Sequence, residues 1–158
     1  MSKNLNTIIV ALLTVTFIAF VIINKDDNTF ERPMTLEENV IWIDFRDTQI
    51  DLWMLSTVEV YGLQFEFAGI KLLKTDGGVL NREGFDISHN ERVILSFDYQ
   101  GGSIETGEHL LLTVDAEYLD NKENVKMTNM VLAGENGKSL NFSYYDSIYK
   151  TTTFRTNR

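Results

Sequence analysis

Two histidines, a run of acids and amides, and two tryptophans are the residues of this 158-residue chain whose types bear on chemistry. His89 lies in the turn SHNER, and His109 opens the run HLLLTVDAEYL. The chain has no cysteine, and neither histidine has a nucleophilic or metal-binding companion beside it in sequence, so both read as solvated surface residues. Asp120, Asn121, Glu123 and Asn124 in YLDNKENV carry the oxygens that calcium takes. A lysine interrupts them and the D-x-D spacing of a calcium loop is missing, so an ordinary turn is expected. The other acids alternate along apolar runs, as on solvated strand faces, and do not pair as glycoside hydrolysis requires. The expectation is a non-enzymatic protein with no catalytic residue, no metal site and no cofactor.

Trp42 and Trp53 are the candidate binding residues. If Ile41, Ile43 and Phe45 face a core, Trp42 points away from it; if Leu52 and Met54 do, so does Trp53. Exposed rings of this kind stack on sugars or anchor protein interfaces. The competing account is that a neighbouring strand or the linker covers them.

Positioning these residues falls to short alternating runs separated by turn residues; no stretch holds a helical period for three turns. The runs are IWIDF (41–45), IDLWML (50–55), a strand around Gly62, GIKLL (69–73), GFDIS, RVILSFDYQ, HLLLTVDAEYL, NVKMTNMVLAG and SLNFSYY. In RVILSFDYQ, Val93, Leu95, Phe97 and Tyr99 share one face, while Ser96 and Asp98 share the other. In HLLLTVDAEYL, Leu110, Leu112, Val114 and Ala116 share a face. The Asn136-Gly137 pair in GENGK is a hairpin signal. Roughly eight or nine strands at this spacing predict an all-β fold, an antiparallel β-sandwich of jelly-roll type.

One run breaks its own parity. In VEVYGLQFEF, Val58 and Val60 are apolar on even numbers, whereas Leu63, Phe65 and Phe67 are apolar on odd numbers. One strand buries both sets only if an extra residue is inserted, which predicts a structural bulge at Tyr61-Gly62, with Gly62 supplying the backbone freedom. Two separate strands joined by a tight turn there is the alternative.

The net charge of −9, with all 23 acids after residue 25, argues against nucleic acid as a partner, since phosphate binding needs clustered Lys and Arg. Ahead of the acids, TIIVALLTVTFIAFVII, residues 7–23, is an uncharged run of 17 residues, about 26 Å long as a helix. It is too long for the usual hydrophobic region of a signal peptide and no small-x-small cleavage site follows. An N-terminal transmembrane anchor over residues 1–24 is therefore expected, with the lipid bilayer as a partner through residues 7–23. A polar linker at 25–38, the sandwich at 39–145 and a C-terminal tail at 146–158 follow it. The tail, aromatic and mildly basic, is expected to be a docking arm or a frayed end. The charge rule barely fixes orientation; the C-terminal domain is expected outside.

The order VYGLQFEFAGIKLLKTDGG, then GFDIS, RVILSFDYQGGSIETGEHLLLTV and ENGKSLNFS resembles cohesin-like modules of the carbohydrate-binding β-sandwich superfamily. It is most similar to a short form found in surface proteins of aquatic bacteria and in large DNA viruses. Gly62, Gln64 and Phe65 match a G-x-Q-F strand of those modules; Ser96, Phe97, Ile104 and Gly107 match a later S-F strand and its I-x-x-G turn. The likeness covers roughly residues 50–145. Cellulosomal cohesins are longer and carry a Tyr-Asp-Pro corner where this chain has Ala68-Gly69, so no ligand is carried over. The resemblance implies a jelly-roll-like sandwich with a binding or structural role. Two functions are expected from it: a membrane-anchored assembly component, such as a minor capsid protein bridging a virion membrane and its shell, or a cell-surface module recognising a glycan or a protein.

Overall fold

The computed structural model describes residues 39–148 and the backbone of 151–155; the anchor at 7–23 and the linker at 25–38 lie outside the described residues. Among those described, no helix is long and apolar enough to cross a membrane. The strands are β1 (Val40–Phe45), β2 (Gln49–Ser56), β3 (Gly62–Ala68), β4 (Ile70–Asp76), β5 (Asp86–His89), β6 (Val93–Phe97), β7 (Gly107–Tyr118), β8 (Lys126–Ala133), β9 (Phe142–Asp146) and β10 (Thr151–Arg155). A one-turn helix, α1 (Gly78–Arg82), joins β4 to β5.

These form a six-stranded sheet in the order β10-β9-β1-β2-β7-β4 and a four-stranded sheet in the order β5-β6-β3-β8. The period-two alternation explains the layering: Ile41, Ile43, Ile50, Leu52, Met54, Leu112 and Val114 from one sheet meet Leu63, Phe65, Phe67, Ile94, Met130 and Leu132 from the other. Each such side chain contributes on the order of 1.5–3 kcal/mol by leaving water. The all-β sandwich is as expected, with two corrections. The sheet is not wholly antiparallel, because β9 runs parallel to β1, with Val40 opposite Ser143 and Trp42 opposite Tyr145. The tail does not end the fold at 145, because β10 pairs antiparallel with β9 from Thr151↔Asp146 to Arg155↔Phe142.

The expected bulge at Gly62 is also corrected. Gly62 pairs in regular register with Phe97 on one side and Ala133 on the other, and it is not among the residues with positive φ. The parity changes because the chain changes partner: Val60 makes an isolated bridge to Ile104, and only at Gly62 does it enter the four-stranded sheet. True register shifts fall elsewhere. Leu52 pairs with Leu112 but Trp53 with Leu110, so Leu111 is the extra residue of β7, and Leu111 and Leu112 both reach the core. Leu73 is likewise extra between Leu72↔Ala116 and Lys74↔Asp115, and Thr128 between Glu66↔Asn129 and Phe67↔Met127.

The β7 bulge is what demands a glycine. Gly78 has φ 74°, and a Cβ there would drive into the Leu111 carbonyl. The bulged strand and the entry to α1 thus approach closely enough that only a residue without a side chain fits.

Candidate functional site

Parity places Trp42 and Trp53 where the sequence put them, on the side of the six-stranded sheet that faces away from the core, directly opposite each other across β1 and β2. They stack with ring centroids 6.0 Å apart and planes within 7°. Of the two accounts, coverage holds for Trp42, which is 2% exposed, while Trp53 is half-buried. A ring closed from solvent offers no face to a sugar, so Trp42 is closed to one, while Trp53 stacks on it across the strands and stays half-buried.

The same side of that sheet holds a buried charge. Asp51 is fully buried and accepts hydrogen bonds from Arg46 Nη2 and from Thr113 Oγ1 at 2.7 Å. Asp44 lies directly opposite it on β1. Burial, and then repulsion from Asp51, push the Asp44 carboxyl above its ordinary pKa, against a smaller opposing pull from Arg46. This is an ion pair whose carboxylate, Asp51, is closed from solvent while Asp44 is half-buried and Arg46 is exposed. His89 stands exposed on β5, whereas His109 on β7 is tied to the Glu105 carbonyl at 3.0 Å; the two are on different sheets. Among the described residues, no group of three or more His, Asp or Glu side chains is arranged to hold a metal ion. In YLDNKENV, Asn124 Nδ2 donates to Asp120 Oδ2 at 2.6 Å, as in a self-bonded turn.

A broad concavity of about 740 Å³ at one end of the sandwich is lined by Thr57, Glu59, Tyr61, Glu135 and Lys138. There Tyr61 donates its hydroxyl to Glu59 at 2.9 Å, and that bond to a carboxylate raises the phenol pKa. Thr57 is bonded away from the others, to Asn39 Oδ1 through both its N–H and its hydroxyl.

The outward side of the four-stranded sheet is different. Cross-strand register aligns Ser88, Leu95, Gln64 and Val131 in one row, and Asp86, Phe97, Gly62 and Ala133 in the next. Leu95 is 40% exposed, Val131 39% and Tyr99 78%, and Tyr99 packs edge-on against Phe97 with centroids 4.6 Å apart. β6 turns the smaller apolar set inward: Ile94 and Ser96 are buried while Leu95 is exposed and Val93 and Phe97 are half-exposed. A solvated face of a sandwich normally carries the polar half of the alternation, so this inversion marks the surface. It was visible in RVILSFDYQ, where Val93, Leu95, Phe97 and Tyr99 share a parity; what the run could not disclose is which face met the core.

No protein family matches the sequence, and no curated protein matches it. Among solved structures, the chain is similar to a non-cellulosomal cohesin from the hyperthermophilic archaeon Archaeoglobus fulgidus, with a TM-score of 0.46 and 12% identity over 68% of this chain and 86% of that one.

Proposed function

We propose that this protein is a non-catalytic binding module that engages a protein partner across the outward face of its four-stranded sheet, and that residues 7–23 hold it in a membrane. The carrying observation is the inverted strand β6, which presents Leu95 and Phe97 to solvent beside Val131 and Tyr99. Interfaces of this kind have an apolar, aromatic centre and a polar rim, and Ser88, Asp86 and Glu66 supply such a rim. A glycan reading has less support, because Trp42 is closed and Tyr99 is the one large exposed aromatic among the described residues.

The finer reading is an assembly role, in which the anchored module links a bilayer to a protein shell such as that of a membrane-containing virion. The 17-residue apolar run and the short linker before a domain with one apolar face support it. A photo-crosslinking amino acid at position 95, compared with one at Glu117 on the other sheet, tests the binding face in the native source. One protein captured through position 95 and not through 117 is the expected result; capture at 117 alone would move the interface to the wrong sheet. Copurification of that adduct with an ordered particle separates the assembly role from a dispersed surface module.

A further inference from the structure

Gly62 has no backbone reason to be glycine. Its φ lies outside the left-handed region, and a Cβ built on it would meet Phe97 Cβ at 3.5 Å, the Ser96 carbonyl oxygen at 3.6 Å and Ala133 Cβ at 3.9 Å, all ordinary contacts. A strand interior normally disfavours glycine, which loses backbone entropy there and packs no side chain. What the missing side chain does is leave a depression in the outward face. Gly62 forms its floor, and Gln64, Leu95, Phe97, Val131 and Ala133 surround it, enclosing about 230 Å³. The walls are almost wholly apolar.

From this geometry we infer that the depression is a socket for one large apolar side chain, of leucine or phenylalanine size, presented by a partner protein with basic residues beside it. The inference rests on the sheet-face reading above and names the chemistry of its partner. Size supports it: a closed cavity of about 150 Å³ lined by apolar side chains already accepts benzene, so an open one of about 230 Å³ takes a phenyl or isobutyl group. Charge supports it independently. Asp86 occupies the same cross-strand row as Gly62, Asp98 follows Phe97, Glu135 follows Ala133 by two residues, and Glu66 lies four residues along β3. Lys126 is the single Lys or Arg within these four strands, at the far end opposite Ala68, and Arg92 and Lys138 lie in the flanking turns, so the acids outnumber the bases about the face. An acidic rim about an apolar socket attracts a cationic partner and repels a second copy of a chain whose net charge is −9. Glycine at 62 is then a specificity residue: it is retained for the hole.

The test uses the full chain in zwitterionic nanodiscs, with empty nanodiscs as the control. The probes are fluorescent lysine-flanked peptides identical except for a central Phe, Leu or Ala, and a glutamate-flanked Phe peptide. The Phe and Leu peptides should bind about tenfold more tightly than the Ala peptide, and the glutamate-flanked peptide more weakly than its lysine counterpart. Gly62→Val should bring the Phe peptide down to the affinity of the Ala peptide without lowering the unfolding midpoint, and Gly62→Ala should give part of that loss. Leu95→Lys should weaken every lysine-flanked peptide. Equal binding of Phe and Ala peptides, or full affinity in Gly62→Val, overturns the socket; if Leu95→Lys still weakens binding, the sheet-face reading stands without it. Binding insensitive to both positions overturns both. A homodimer that Gly62→Val dissolves would give the socket to a second copy and overturn the basic partner.

Discussion

Two glycine substitutions separate a glycine that the fold needs from one that it does not. In Gly78→Ala the new Cβ meets the Leu111 carbonyl group and lies 2.8 Å from the Leu110 carbonyl oxygen, on a backbone held at φ 74°. The left-handed conformation alone is unfavourable for an L-residue by roughly 1–2 kcal/mol. Relieving the contact means moving backbone at the β7 bulge, where Leu111 and Leu112 are both fully buried, so a further loss of about 1–3 kcal/mol is expected. The sum, about 2–5 kcal/mol, is a large part of the roughly 5–15 kcal/mol that stabilises a domain. With a urea dependence of about 1–3 kcal/mol per molar, the unfolding midpoint should fall by at least about 0.7 M. Gly62→Ala meets only ordinary contacts and restricts the unfolded chain, so its midpoint should hold or rise by the equivalent of about 0.4–1 kcal/mol. Urea unfolding of the full chain, followed through the fluorescence of the stacked Trp42–Trp53 pair, reads both. If Gly62→Ala proves the more damaging, the bend belongs at Tyr61-Gly62 and the assignment of the bulge to Leu111 is wrong.

Asp44→Asn should stabilise the fold near neutral pH. The native carboxyl sits above its ordinary 3.8 because of burial and Asp51, so its stabilising effect is full below that value and is lost as pH rises through the raised one; the gain in the variant should vanish in acid, and a gain that persists there would contradict the assignment. Arg46→Ala leaves Asp51 buried with Thr113 as its remaining named donor, and thermal or urea unfolding should show a loss of about 1–3 kcal/mol, held to that range because the arginine is itself half-exposed. Ser96 Oγ is buried without a hydrogen-bond partner, so Ser96→Ala should leave the midpoint unchanged or raise it by up to about 1 kcal/mol; a marked loss would reveal a partner for that hydroxyl. Alkaline carbonate should leave the protein in the membrane fraction and intact mass should retain residues 1–24; release, or loss of those residues, would make it an exported domain.

Most of the sandwich was legible because alternation at period two is local: Ile41 with Ile43, Ile50 with Leu52, and Phe65 with Phe67 each declare a face without reference to any other strand. Pairing is not local. SLNFSYY reads as the return arm of a hairpin, and the turn does close through Gly134 N to the Lys138 carbonyl at 2.7 Å, yet β9 then crosses to run parallel beside β1. No short-range pattern encodes that exchange. In HLLLTV three consecutive leucines satisfy either parity, so the run hides its own bulge, whereas VEVYGLQFEF shows a parity change caused by a change of partner. The site suffered from the same limit. An exposed face and a buried face carry equally regular alternation, and in β6 the larger apolar set is the exposed one.

The two outward faces differ in how their apolar groups are grouped: the six-stranded sheet exposes Leu73 on β4, whereas the four-stranded sheet sets several such groups side by side. On the six-stranded sheet Trp42 is buried and stacked on Trp53, and the charge on the same side, Asp51, is fixed by Arg46 and Thr113. Opening such a face to a ligand would expose a stacked pair and an ion pair that already satisfy one another, with little left to offer in exchange. On the four-stranded sheet Tyr99 packs edge-on against Phe97 yet stays 78% exposed, and Leu95 and Val131 are exposed as well. Phe97 and Ala133 flank a gap that a Cβ at position 62 would occupy without strain, and Leu95 and Val131 lie in the next row with polar Gln64 between them. A surface that keeps apolar groups in water, and a hole where a side chain fits, bears a standing unfavourable hydration term that a bound partner removes. That asymmetry, which no single residue carries, is why the binding reading falls on β5-β6-β3-β8 and leaves the tryptophans to the fold.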